Sequence, residues 1–227
     1  MKTANISGIV INYLLENRDA FNDAEVNMIL SNMNIEDTFY SIPNIVLQLY
    51  DELGILPDEL NSYKAFSELV NEQFDIKDKN IVEIGGGVLP RLGKRLSLMQ
   101  DRGTVTVYDP NLYLNKAYYP NLKLIKRKFF PITNVDMADV LVGLLPCGSS
   151  SSIVKSAIKH NKDFMIALCD SCNYLEFFDG YDEDLDWPNN FINQTAHAVE
   201  ENNMGKLKVK HLKEVGLQYP IIYNDRG

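Results

Sequence analysis

Two short stretches concentrate the chemistry of this 227-residue sequence: Glu83-Ile84-Gly85-Gly86-Gly87, and Asp109-Pro110, where Asp109 stands 22 positions beyond Gly87. Each closes a run with the composition of a buried strand, Asn80-Ile81-Val82 before the first and Thr104-Val105-Thr106-Val107-Tyr108 before the second. Glycine at a strand end lets the backbone bend sharply and pass close to a ligand, because no Cβ stands in the way. A carboxylate at the end of the neighbouring strand can accept hydrogen bonds from both hydroxyls of a ribose. Together the two features describe a nucleoside pocket. A dinucleotide site expects G-x-G-x-x-G/A. Gly85 and Gly87 fill its first two places, but Pro90 stands at the third and does not replace the glycine that lets helix and strand pack closely. Glu83, two residues ahead of the first glycine, is a poor neighbour for a pyrophosphate. It suits a ligand whose tail is a zwitterionic amino acid beside a cationic sulfonium. Two plainer readings compete: a tight strand–helix connection without a ligand, and Asp109 as a helix N-cap with Pro110 at the first helical position.

Positioning these residues requires particular elements. From Lys79 onward, apolar runs alternate with helical segments: 80–84, 104–108, 122–125, 140–145 and 164–169 read as strands. Helices are expected after the glycines (Leu89, Leu92, Leu96, Met99), at 153–160 and at 190–203. Such alternation predicts βαβ units and a parallel sheet. The last two segments, 206–213 and 218–223, are too close for a crossover helix and predict an antiparallel hairpin. Residues 1–75 read as helices. Ile6, Ile9, Val10, Tyr13 and Leu14 form one helical face, with further helices expected at 23–33, 41–54 and 57–74. The expected organisation is a helical cap, 1–75, followed by an α/β domain, 76–227.

With those elements in place, the sequence resembles the class I S-adenosylmethionine-dependent methyltransferases over about residues 76–225. Their first motif, acid-x-Gly-x-Gly, is matched by Glu83-Ile84-Gly85-Gly86-Gly87, their second-strand acid by Asp109, and their terminal hairpin by 206–223. The resemblance implies a Rossmann-like, mostly parallel seven-stranded sheet with an antiparallel C-terminal hairpin, and S-adenosylmethionine as cofactor. It implies that Gly85, Gly86 and Gly87 pass under the methionine moiety, with Glu83 beside them, and that Asp109 holds the ribose. The acid that family members often carry after the third strand is replaced by Lys128-Phe129-Phe130-Pro131, where Phe129 is the candidate to stack on adenine, with Phe130 as the alternative. The fourth strand ends in Leu144-Leu145-Pro146-Cys147, not in the Asp/Asn-Pro-Pro-aromatic motif of enzymes that methylate base amines. The expected activity is therefore methyl transfer to a small-molecule acceptor. Asp170 is the candidate general base; Tyr13, Tyr118 and Tyr181 are not ranked. The alternatives are a catalytically silent module that binds a nucleoside or serves as a scaffold, and a nicotinamide-dependent oxidoreductase.

The remaining features are weighed against simpler explanations. Cys147, Cys169 and Cys172 sit at neighbouring strand ends, but one Cys-x-x-Cys is half a zinc site, and reduced thiols without a metal are expected. Asp179, Asp182, Glu183, Asp184 and Asp186 form an acidic run closed by Trp187-Pro188, expected to be a solvated loop. Lys123, Lys126, Arg127 and Lys128 fit an edge strand guarded against aggregation. A net charge of −9 argues against a nucleic-acid partner. No apolar run reaches the roughly 18–20 residues of a membrane span, and the first residues lack the apolar core of a secretory signal. A cytoplasmic protein without a membrane partner is expected, with dimerisation through the helical cap open.

Overall fold

In the computed structural model, residues 3–17, 21, 23–32, 44–54, 61–112, 119–146, 148–169, 185–215 and 217–227 are described. Five short apolar segments, β1 (Ile81–Ile84), β2 (Val105–Tyr108), β3 (Leu122–Ile125), β4 (Val140–Leu144) and β5 (Asp163–Ala167), pair in parallel. Two longer ones, β6 (Lys206–Leu212) and β7 (Leu217–Asp225), form the expected hairpin. β7 also pairs antiparallel with β5, so the last strand of the chain lies inside the sheet and β6 becomes its edge. The order is β3-β2-β1-β4-β5-β7-β6. β1 and β4 are buried along their whole length because both faces of the centre are covered. Asn224 on β7 pins the antiparallel register. Its Oδ1 accepts the Phe164 N–H at 2.8 Å, and its Nδ2 donates to Asp163 and to the Met204 carbonyl. Lysines stand on both edge strands, at Lys123 and at Lys206, Lys208 and Lys210, where unpaired strand edges invite aggregation.

One face of the sheet is covered by α4 (Ser62–Phe74) and α5 (Arg91–Leu98), which bury Tyr63, Phe66, Val70, Leu92 and Leu96 against it. The other is covered by α6 (Ser150–His160) and α7 (Trp187–Glu201), through Ile153, Val154, Phe191 and Val199. α4 begins later than its periodicity suggests, because Asn61 caps it by accepting the Lys64 N–H at 3.0 Å. Asp186 caps α7 in the same way through the Asn189 N–H, with Pro188 in the first turn. The helices α1 (Thr3–Glu16), α2 (Asp23–Asn32) and α3 (Asn44–Glu52) build a third cluster from Val10, Leu14, Ile29, Val46 and Leu49. α4, the last helix before residue 75, shares the core of the sheet instead.

Candidate functional site

The sheet reverses its order between β1 and β4, and the glycine turn leaves β1 at that point, where ligands bind in open α/β sheets. The Gly85 N–H donates to the Tyr108 carbonyl at 2.9 Å, carrying the β1–β2 pairing one residue past the strand. Gly85 and Gly87 then take φ of +83° and +71°, the left-handed region where a side chain costs strain. A Cβ on Gly85 would also lie 2.8 Å from the Cα of Pro146, so the turn fits closely against the exit of β4.

Asp109 meets this turn. Its Oδ2 accepts the Gly87 N–H at 3.0 Å and its Oδ1 accepts the Asn111 N–H at 2.7 Å, which fastens the end of β2 to the bend after β1. The Asn111 bond closes a turn at 110–111. Each carboxylate oxygen can accept a second hydrogen bond, so two further donors can be served at the same place. Behind it, Tyr108 is held edge-on by Phe129, with ring centroids 5.4 Å apart, and is covered by the Arg127 guanidinium at 5.3 Å. Phe129 itself is buried in the core.

Glu83 lies beneath the turn, only 2% exposed. A Cβ on Gly86 would stand 3.4 Å from its Oε1, and one on Gly93 would stand 2.6 Å from its Oε2 and 2.5 Å from Val107 Cγ2. Gly93 thus supplies, one turn into α5, the close helix–strand packing that Pro90 cannot give. Its place inside an ordinary-looking helical segment, Arg91-Leu92-Gly93-Lys94, carries no signal in the sequence. The Oε2 of Glu83 has no hydrogen-bond partner among the described residues. Burial pushes the Glu83 carboxyl up to about 8; the Gly93 amide opposes that rise and the Asp109 charge adds to it.

A pH dependence follows. An acid whose folded-state pKa is raised holds its proton in the native state while the unfolded chain releases it. The contribution to stability is complete below the unfolded pKa and is lost as pH rises through about 8. The urea midpoint of the wild-type protein is expected to fall between pH 5 and pH 9, and that of Glu83→Gln to fall measurably less and to be the higher of the two at pH 9. Parallel curves for the two proteins would show that the carboxyl is ionised when folded.

The turn is gripped from its far side by the N-terminal helices. Val88 and Leu89 belong to the cluster of α1, α2 and α3. Immediately after them, the Arg91 Nε donates to Asp51 Oδ2 at 3.2 Å, and the Arg95 Nη2 to Asp51 Oδ1 at 2.5 Å. The Nδ2 of Asn61 reaches Oδ1 as well, at 2.7 Å, and Arg91 pairs with Glu52. Asp51 is buried, which raises its carboxyl, but the hydrogen bonds from Arg95 and Asn61 and the charges of Arg95 and Arg91 outweigh that and hold it below its ordinary value. Asn61, Arg91 and Arg95 lie 10, 40 and 44 residues from Asp51, and sequence reasoning missed the cluster. A cavity of about 170 Å³ opens at this seam, lined by Glu52, Leu89, Pro90, Arg91, Lys94, Tyr119 and Leu122; it contains none of the candidate cofactor-binding or catalytic residues read from the sequence.

Of the other sequence-derived candidates, Asp170, Cys147, Cys172, Tyr118, Tyr181 and the acidic run at 179–184 lie outside the described residues. Cys169 is buried. His160 pairs with Asp136 at 2.7 Å and His197 with Glu201 at 3.2 Å. Among the described residues no group of three or more His, Cys, Asp or Glu is placed to hold a metal ion.

No protein-family model and no curated protein matches this sequence. Solved structures do. Magnesium protoporphyrin IX methyltransferase (ChlM) from Synechocystis PCC 6803, with bound SAM, matches at a TM-score of 0.51 and 11% identity, over 92% of this chain and 95% of that one. The same enzyme with bound SAH matches at 0.50 and 10%, over 92% and 98%. A SAM-dependent methyltransferase from Aquifex aeolicus matches at 0.45 and 16%, over 78% and 97%. The chain has the Rossmann-like α/β fold of the class I S-adenosylmethionine-dependent methyltransferases: a mostly parallel seven-stranded sheet with an antiparallel C-terminal hairpin. The 92% coverage cannot be reached without most of the N-terminal helices, so the likeness extends beyond the sheet.

Proposed function

We propose that this protein is a methyltransferase that uses S-adenosylmethionine and acts on a small-molecule acceptor. The observation that carries the reading is the bond between Asp109 and the Gly87 amide. It brings the strand-end carboxylate and the side-chain-free bend to one rim of the sheet at its switch point. The residues present fit the cofactor: Asp109 retains acceptor capacity for two ribose hydroxyls, and the positive-φ glycines present backbone where an amino-acid tail would pass. The bound cofactor supplies an electrophilic methyl group, whose bond to sulfur breaks as a bond to the acceptor forms, leaving neutral S-adenosylhomocysteine.

This chain's residues then have mainly positioning to do. Asp109 orients the ribose. Gly85, Gly86 and Gly87 pass beside the methionine tail. Glu83, buried below them, supports the bend from beneath, and Phe129 fixes Tyr108 and with it the direction of Asp109. Asp170 follows the end of β5 by three residues and is the candidate to take a proton from a weakly nucleophilic acceptor.

Calorimetry with S-adenosylmethionine, S-adenosylhomocysteine and NAD tests the reading. Micromolar binding of the first two and none of NAD is expected. Release of S-adenosylhomocysteine in the presence of pooled small-molecule acceptors then separates an enzyme from a silent binder. Absence of heat and of a thermal shift with both sulfur nucleosides would overturn the assignment.

A further inference from the structure

The connection between β3 and β4, residues 126–139, holds no helix. Two consecutive turns take its place, closed by Thr133 N–H to the Phe130 carbonyl at 2.8 Å and by Ala138 N–H to the Val135 carbonyl at 2.9 Å. Phe129, Val135 and Ala138 point inward and complete the core under this part of the sheet. Phe130, Ile132 and Met137 point outward and are 50%, 83% and 82% exposed. Single exposed apolar residues are ordinary on protein surfaces, but three on one short connection are a feature to explain.

Cations flank the same connection. Lys123, Lys126, Arg127 and Lys128 are all exposed, and the Lys128 ammonium lies 5.8 Å from the Phe130 ring centroid. Lys162 reaches in from the start of β5 and donates to the Asp136 carbonyl at 2.7 Å. The two acids of the connection are already engaged. Asp136 is bonded to His160, and Asp139 accepts the Asn80 N–H at 2.7 Å. In a chain of net charge −9 this stretch thus carries five cations against two acids, and apolar side chains project from it.

We propose that this face docks on the surface of an anionic lipid bilayer, with Ile132 and Met137 entering the interface and the lysines and Arg127 meeting the headgroups. Basic groups within a screening length of a negative surface are attracted to it whatever the charge of the far side of the protein, because salt damps the longer-range repulsion. The aliphatic tips decide between anionic partners. Ile132 and Met137 have no ring to stack on nucleobases, but they suit hydrocarbon. A second copy presenting the same face would set cation against cation. Docking of this kind needs no membrane-crossing helix, and none of the described helices is long and apolar enough to be one. It departs from the expectation that a membrane is no partner, which rested on the lack of a span.

Sedimentation with vesicles tests it. Phosphatidylcholine vesicles carrying one-third phosphatidylserine are expected to retain the protein roughly tenfold better than pure phosphatidylcholine at about 0.1 M salt, and to release it as salt is raised. The Ile132→Glu/Met137→Glu and Lys126→Glu/Lys128→Glu proteins are each expected to lose most of that retention. Leu98→Glu, at another exposed apolar residue, on α5, is expected to keep it. An Ile132→Trp variant should shift its emission to the blue on anionic vesicles, a readout independent of any loss of binding. Four results overturn the proposal: no retention, equal retention on neutral vesicles, retention undiminished by the acidic tips, or tighter binding to single-stranded DNA than to vesicles. A dimer that the acidic tips convert to monomer overturns it too, by giving the face to a second copy.

Discussion

Asp109→Ala is expected to weaken S-adenosylmethionine binding by about 100-fold. A carboxylate that accepts two ribose hydroxyls makes two charge-assisted hydrogen bonds, each worth about 1.5–3 kcal/mol. At the lower value the two together amount to about 3 kcal/mol, which corresponds to two decades in dissociation constant. The same substitution frees the Gly87 and Asn111 amides, which turn toward solvent at a smaller cost. The protein should therefore stay folded, with affinity hit much harder than stability. Asp109→Asn sharpens the test. An amide has one acceptor oxygen, and both Asp109 oxygens already face N–H donors, so its NH₂ must oppose either Gly87 or Asn111. It should bind nearly as poorly as the alanine protein, although its shape is unchanged. Titration calorimetry on both variants, with urea unfolding alongside, separates the two effects. An affinity within threefold of the wild type would remove Asp109 from the pocket.

The parts of this site that were legible in the sequence are those fixed by local rules. Gly85 and Gly87 are visible because a strand must turn there and only glycine takes positive φ at no cost. Asp109 is visible because it closes a strongly β-branched run. The hairpin is visible because the gap between its strands admits no crossover. The helices of the cap are visible by their period, although α4 begins at its Asn61 cap and not at 57. What was hidden depends on contacts across the fold. Leu89 reads as the first residue of the face that Leu92 and Leu96 bury, yet it precedes α5 and packs into the cap. Gly93 carries no local signal, yet it is where α5 touches β2 and Glu83. Between 125 and 140 the sequence predicts no element, and the turns there that bury Phe129, Val135 and Ala138 carry no local signal. Asp51 falls near the end of the helix expected at 41–54, and nothing local marks it as buried. Its three partners lie 10, 40 and 44 residues away, a separation for which no periodicity exists.

Asp51 is also where the structure predicts its largest loss of stability. Removing one member of a buried ion pair costs about 3–5 kcal/mol, because the other charge is left without compensation. In Asp51→Ala, the Arg91 side chain is only 8% exposed and keeps Glu52, while Arg95 is partly open to water. The expected loss is therefore near the lower limit, about 3 kcal/mol. Asn61 loses a partner too, at the cap of α4. Because the Asp51 carboxyl is held below its ordinary value, its contribution is present above the usual carboxylate range and is lost as pH falls through the lowered pKa. The difference between Asp51→Ala and the wild type should thus shrink toward strongly acidic pH. The site of the loss is as informative as its size. The sole tryptophan, Trp187, sits on α7 over the sheet, whereas circular dichroism follows every helix, α1 to α3 included. In the wild type the two signals should report one urea transition, since Val88, Leu89, Arg91 and Arg95 tie the cap to the glycine turn. In Asp51→Ala the dichroism should begin to fall first, as the cap parts from α5 while the sheet persists. With the turn no longer gripped from that side, S-adenosylmethionine should bind more weakly even though Asp51 does not reach the glycines or Asp109. A loss below about 1 kcal/mol, typical of exposed pairs, would mean that water already screens the cluster and that the cap does not hold the turn.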